Sequence, residues 1–348
     1  MPRIITITSG KGGVGKTSIS LNLALELASL NQKVCLFDAD LGLANINILT
    51  GIHPENDLKS VINGRLEIED IIIRNFQGID IIPGSSGVTE LADLSQEKAK
   101  QLIRSFIDLE EYDYFIFDTS AGISSQVLSF CMASHEILLV ITPEPTSLTD
   151  AYSLLKVLSL KNYKNRVNVI VNQVKEAKQA KQAYCQLRDT VRRFLSLELN
   201  ALGIVVFDRH LPMSVIAQTP FLKLFPDSSA SRCIKLLGKK LISKDKKQTT
   251  PSLEEFWQRC LDFLRENKTA GKDYNGVKPK ETRKKKPDIM ERLQRIETKL
   301  SKALAEIREI RCLVENEKNP GKELFSPHPE IELDFETWYT ERNGKRLG

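Results

Sequence analysis

The sequence predicts an α/β protein built on a mostly parallel sheet with helices on both faces. Apolar runs alternate with helix-period segments for about two-thirds of its 348 residues. The runs are continuous and rich in β-branched residues, which marks strands covered on both faces. A glycine-rich loop, Ser9-Gly10-Lys11-Gly12-Gly13-Val14-Gly15-Lys16-Thr17-Ser18, separates the first run from the first helical segment.

Taken in order, the expected strands are Ile4–Thr8, Val34–Asp38, Ile79–Pro83, Tyr114–Asp118, Ile137–Thr142, Val167–Val171 and Ile204–Phe207. Helical patterns fall at Ser18–Leu30, Ser95–Leu109, Ser124–Ala133, Leu148–Leu160, Ala177–Leu199 and Ser229–Ile242. Asp38, Asp118 and Asn172 stand at or just past strand ends, where such sheets bind ligands. Residues 1–244 thus form one α/β domain.

The character then changes. Within 245–267, Ser252–Glu266 spaces Leu253, Phe256, Trp257, Cys260, Leu261 and Leu264 as an amphipathic helix. Residues 268–287 are polar, carry Arg283-Lys284-Lys285-Lys286 and read as a flexible linker. Residues 288–317 place Leu293, Ile296, Leu300, Ala303, Ile307, Ile310 and Val314 in steps of three and four, as in a short coiled coil. The remainder, 318–348, reads as a disordered or docking tail ending near Trp338-Tyr339.

Composition narrows the function classes. Lys+Arg 50 against Asp+Glu 45 leaves no overall field that forces a nucleic-acid reading. Six scattered cysteines without a C-x-x-C predict neither a zinc site nor an iron–sulfur cluster. With no signal-peptide pattern and no apolar run long enough to span a bilayer, a cytoplasmic protein is expected.

The glycine loop matches G-x-x-x-x-G-K-[ST] between a strand and a helix, the context that makes it a phosphate site. Glycines let the backbone N–H groups of Gly10 through Ser18 face an anion, and the helix start adds its positive end. Lys16 is expected to reach the β- and γ-phosphates and Thr17 to ligate Mg²⁺. Asp38-Ala39-Asp40 ends the second strand, and two carboxylates beside a phosphate-bound metal hold its waters and orient an attacking one. A helix N-cap explains one of these aspartates better than two. Phe115-Ile116-Phe117-Asp118 delivers another carboxylate from an apolar strand. Lys11 is a second lysine in a loop that already has one, and like charges so close repel. Its physical sense is to serve a phosphate bound by a second copy of the chain.

The run KGGVGKTS resembles the deviant Walker A loop of the MinD/ParA family, whose ATP-bound subunits dimerise face to face. The resemblance implies a P-loop NTPase-like fold, ATP and Mg²⁺ as cofactors, and a slow regulatory ATP hydrolase acting as a homodimer. It assigns catalytic roles to Lys11, Lys16 and Asp40, with Asp40 in the water-activating switch. Nucleotide contacts would come from Gly10, Lys11, Gly12, Gly13, Val14, Gly15, Lys16, Thr17 and Ser18. Metal contacts fall to Thr17, Asp38 and Asp118. Thr119-Ser120-Ala121-Gly122 looks like the second switch, with the Gly122 N–H on the γ-phosphate, although many relatives have proline where Ser120 stands. Asn172 would pair both amide groups with adenine, though at a strand end an asparagine also serves as a turn residue. Asp208-Arg209 with Leu211-Pro212 resembles the loop over the base, and Pro143-Glu144 an element facing the partner's ribose.

Four further stretches, 38–45, 82–87, 143–152 and 220–222, look like the MinD-like flagellar-number regulators of the FlhG/FleN type. That resemblance implies partners among flagellar proteins: a signal-recognition-type GTPase, a switch-ring component or a transcription regulator. Such regulators usually carry an N-terminal extension that stimulates the GTPase; here Met1-Pro2-Arg3 leads straight into the first strand. MinD-like proteins also end in an amphipathic helix that binds membrane. Ser252–Glu266 is the candidate, implying peripheral inner-membrane association through Phe256, Trp257, Leu261 and Leu264, with docking of that face on the core as the alternative. A competing function is a DNA-riding partition or cargo-positioning ATPase using Lys161, Lys164, Arg166, Lys178, Lys181, Arg188, Arg192 and Arg193. Another is a scaffold in which the coiled coil does the binding.

Overall fold

Continuous apolar runs need cover on both sides, and the computed structural model shows how each side is covered. It describes residues 1–40, 45–84, 91, 94–243 and 251–273; the expected coiled coil, the tail and the basic run at 283–286 lie outside the described residues. In chain order the elements are β1 (Arg3–Ser9), α1 (Lys16–Ser29), β2 (Val34–Ala39), α2 (Asn45–Thr50), α3 (Leu58–Ile62), α4 (Ile68–Ile71), β3 (Ile73–Phe76) and β4 (Ile79–Pro83). There follow α5 (Gln96–Ile107), β5 (Tyr114–Ala121), α6 (Ser125–Ala133), β6 (Glu136–Ile141), α7 (Pro145–Leu160), β7 (Arg166–Val174) and α8 (Ala177–Phe194). The last are β8 (Leu199–Val206), α9 (His210–Ile216), α10 (Phe221–Leu224), α11 (Ser229–Ser243) and α12 (Leu253–Asp273).

Among the described residues the strands form one eight-stranded sheet in the order β3-β4-β2-β5-β1-β6-β7-β8. Every pairing is parallel except that of β3 with β4. Period-two alternation then sorts the side chains. In β1 and β5, Ile5, Ile7 and Ile116 face the layer of α1 and α11, where Leu21, Leu25, Leu237 and Leu241 meet them. Ile4, Phe115 and Phe117 face the other layer, formed here by α5, α6 and α12. Further along, Ile137, Leu139, Val167 and Val169 pack under α7 and α8. Serine side chains start two of these helices, Ser95 accepting from the Lys98 N–H and Ser124 from the Val127 N–H.

Three boundaries depart from the sequence expectation. The edge strand β3 is too short and too polar to announce itself, with Arg74 and Asn75 at its centre. The expected helix Ala177–Leu199 stops at Phe194, and Leu199 already opens β8. The segment expected as a linker from residue 268 remains helical to Asp273.

The two alternatives for the apolar stripe of α12, membrane contact and docking on the core, are also distinguished here: Leu253, Phe256, Trp257, Cys260, Leu261 and Leu264 are all buried. The helix fills the slot between α5 and α6, where Phe256 stacks on Phe117 at 4.4 Å and Trp257 lies 4.5 Å from Phe106 and 5.8 Å from Phe37. Sequence pattern alone cannot tell a stripe that meets lipid from one that meets a sheet, and here Phe37 on β2 with Phe115 and Phe117 on β5 supply the partner. Among the described residues no helix is long and apolar enough to cross a membrane.

Trp257 therefore acts as a core residue. Trp257→Ala should destabilise the fold by about 3–5 kcal/mol, the range for truncating a buried aromatic. Urea denaturation measures this, and a loss below about 1 kcal/mol would show α12 to be peripheral.

Candidate phosphate and metal site

β1 ends at Ser9 and α1 begins at Lys16, so the glycine loop turns at the carboxyl edge of the sheet with the N–H groups of α1 pointing into it. Two glycines are required by their surroundings. A side chain on Gly10 would sit 2.1 Å from the Asp150 carbonyl carbon, because the loop lies directly against the backbone of α7. Gly15 caps α1 at φ +90°, and a Cβ there would lie 2.5 Å from Asn172 Nδ2. The loop borders a cavity of about 420 Å³ lined by Gly12, Gly13, Gly15, Lys16, Thr17 and Ser18, with Asp40, Ile48, Leu49, Ser120 and Ala121 opposite. That volume suits a small-molecule ligand. Lys16 is buried, and desolvation pulls its ammonium below the usual lysine range against the attraction of Asp118 and Asp40. Val14 turns its side chain into the core, leaving only its backbone for the loop.

Register brings the carboxylates together. Asp38 on β2 pairs with Asp118 on β5, and Asp118 in turn with Ile7 on β1. Asp118 is fully buried: Ser20 donates to its Oδ1 at 2.8 Å, while Oδ2 has no hydrogen-bond partner among the described residues. Burial pushes its carboxyl up to about 6, opposed by the Thr17 and Ser20 hydroxyls and by Lys16. Asp38 is pushed further, to about 8, first by burial and then by the charge of Asp118. A buried acceptor oxygen without a donor, beside a hydroxyl and a second carboxylate, fits a divalent cation, so Thr17, Asp118 and Asp38 suit the expected magnesium. Asp38 does not line the large cavity. It borders a neighbouring one of about 140 Å³, whereas Asp40, whose N–H donates to Asp38 Oδ1 at 3.1 Å, faces the phosphate loop.

Other expected site residues are engaged within the chain. Lys11 turns away from the cavity, donating to Glu144 at 2.5 Å and Thr146 at 2.9 Å. The Gly122 N–H, expected on a γ-phosphate, donates to the Ser9 carbonyl at 2.9 Å. Asn172, expected to pair both amide groups with adenine, is buried and gives its Nδ2 to the Val14 carbonyl at 2.7 Å. That bond ties the end of β7 to the loop. Asp208, expected near the base, accepts from the His210 and Ala230 N–H groups and pairs with the His210 ring at 2.7 Å. It ties α9 to α11, and these bonds hold its carboxyl below the usual range despite burial. The basic surface is also partly engaged. Lys161 binds Asn267 and lies over Phe263, while Arg188 pairs with Asp189 and lies over Tyr184.

Three contributors escaped the sequence reading: Ser20, Thr146 and Gln173. Ser20 lies one helical turn after Lys16 and Thr146 two residues after Glu144, so their spacing was a usable signal. Gln173, which donates to the Gly13 carbonyl at 3.2 Å, gave none beyond its place beside Asn172.

Comparison with known proteins shows the family and the fold. A family model described as an AAA domain matches residues 2–172. The antiactivator FleN of Pseudomonas aeruginosa is 39% identical over 242 residues, 69% of this chain and 86% of that protein. The flagellum site-determining protein YlxH of Helicobacter pylori is 34% identical over 75% of this chain and 90% of its own length. Among solved structures, a chain of the Aquifex aeolicus MinC:MinD cell division complex superposes with a TM-score of 0.56 at 26% identity, covering 71% of this chain and 98% of that one.

The raised carboxyls give the ligand-free protein a pH signature. Asp38 titrates near 8 when folded, far above an unfolded aspartate, so the fold holds a proton that the unfolded chain has released. This contribution is complete below the unfolded value and is lost as pH rises through 8, with Asp118 adding a loss in the same direction near 6. Wild-type protein should therefore lose stability in urea between pH 5 and pH 8, and Asp38→Asn should lose less. Parallel losses would remove Asp38 as the source.

Proposed function

Because the chain belongs to the MinD/ParA family of ATPases, in its FleN-like branch, we propose that it is a nucleotide-dependent dimerisation switch regulating flagellar number or placement. The loop N–H groups and Lys16 bind the polyphosphate of ATP. Thr17, Asp118 and Asp38 would hold magnesium, which when bound would neutralise charge on the phosphate oxygens. Asp40 orients the attacking water from the opposite wall of the cavity. Hydrolysis is slow and acts as a timer.

The observation that carries this reading is the direction of Lys11. It sits in the phosphate loop yet does not line that loop's own cavity. Its ammonium is held at the rim by Glu144 and Thr146, where a second copy facing the loop would meet it. The pair is partly exposed, 36% for Lys11 and 59% for Glu144, so it stabilises the single chain by only about 0–1 kcal/mol. A charge-assisted bond to phosphate, at about 1.5–3 kcal/mol, outweighs it. Partners are engaged by the closed dimer. In the single chain the apolar face of α12 is buried against the core.

Lys11→Ala should keep MgATP binding while weakening the dimer. Two lost lysine–phosphate bonds at about 1.5–3 kcal/mol each correspond to a dimer roughly 10²–10⁴ times weaker. Light scattering with ATP, in an Asp40→Ala background that blocks hydrolysis, reads this directly. Dimerisation equal to that of Asp40→Ala alone would count against the switch, and a ParA-like partition role would then be tested by salt-sensitive binding to random duplex DNA.

A further inference from the structure

Asn172 and Gln173 are consecutive on β7, and in a regular strand consecutive side chains leave from opposite faces. Here they do not. The pairing of β7 with β8 shifts register between Val171 and Val174, and Gln173 stands at φ +56°, an uncommon conformation for any residue with a side chain. Irregularities of this kind re-aim side chains beside sites. The consequence is visible in the contacts, since Nδ2 of Asn172 reaches the Val14 carbonyl and Nε2 of Gln173 the Gly13 carbonyl.

Those two carbonyls matter because of what lies on the other side of each peptide. A trans peptide is planar, with C=O and N–H pointing in opposite directions. Holding the Gly13 and Val14 oxygens toward β7 turns the N–H groups of Val14 and Gly15 the opposite way. We infer that Gln173 is a positioning residue of the phosphate loop, acting with Asn172 to fix two consecutive peptides in the orientation that a bound polyphosphate needs. The strained backbone at Gln173 is what brings its amide within reach. Gln173 is exposed, so its retention in a left-handed conformation is not explained by packing. The inference rests on the nucleotide reading given above.

The test compares three substitutions at this position. Gln173→Gly keeps the left-handed backbone and removes the amide. Gln173→Glu keeps the length and removes the donor. Gln173→Lys restores a donor able to reach a carbonyl. The first two should bind a fluorescent ADP analogue with magnesium about three- to tenfold more weakly, the value of one hydrogen bond. Their KM for ATP should rise while kcat changes less, and Gln173→Lys should recover most of the loss. Gln173→Gly should melt no lower than wild type, because glycine accepts this φ without strain. Nucleotide affinity unchanged in Gly and Glu variants overturns the positioning role alone. Wild-type protein that binds no adenine nucleotide overturns the reading beneath it as well.

Discussion

Two aspartates lie side by side, buried, on adjacent strands of one parallel sheet, and the geometry of the site follows from that placement. Asp38 and Asp118 are register partners, so neither moves away from the other without breaking the sheet. Burial lifts both carboxyls, the charge of Asp118 lifts Asp38 further, and Asp118 retains an oxygen with no donor among the described residues. Lys16 supplies one positive charge nearby, itself depressed by desolvation. The arrangement fits a cation, and the strands that deliver the carboxylates are held by cores on both faces.

Around this fixed centre stand groups whose present partners are replaceable. Lys11 rests on an exposed carboxylate and a hydroxyl, and the Gly122 N–H on the Ser9 carbonyl. Both are donors suited to phosphate, and both are satisfied within the chain. A phosphate need therefore only compete with weak internal bonds, so a change of partner at a few atoms is enough to alter the face that carries them. Asn172 and Gln173 do the opposite work. Their bonds to the Val14 and Gly13 carbonyls tie the loop to β7.

The distribution of apolar material separates these two behaviours. β5 carries Phe115 and Phe117 beneath α12, where Phe256 and Trp257 close an aromatic cluster with Phe37, Phe106 and Phe130. That cluster anchors the strand that delivers Asp118 a few residues before its end. Beyond Ala121 the cover ends, and Ile123 stands exposed just before α6. The rigid part of β5 thus positions the carboxylate, while the part outside the cluster carries the exchangeable Gly122 bond.

Taken alone, the sequence determined a mostly parallel sheet, the positions of its principal strands along the chain, the phosphate loop and the strand-end carboxylates. Each is encoded locally: unbroken apolar runs make doubly covered strands, and glycines at fixed spacing make an anion cradle. It also placed Lys11 apart from Lys16, because two like charges in one short loop need separate tasks. Tertiary structure alone decided which atoms each polar side chain meets. No spacing in the sequence announces that the Asn172 amide donates to the Val14 carbonyl, or that the Asp208 carboxylate joins α9 to α11. Gln173 carries no signal before the register shift between β7 and β8 turns it toward the loop. The α12 stripe is the clearest case. Its periodicity states that one face must leave water, and whether lipid or protein receives that face depends on the slot between α5 and α6, built by residues more than a hundred positions away.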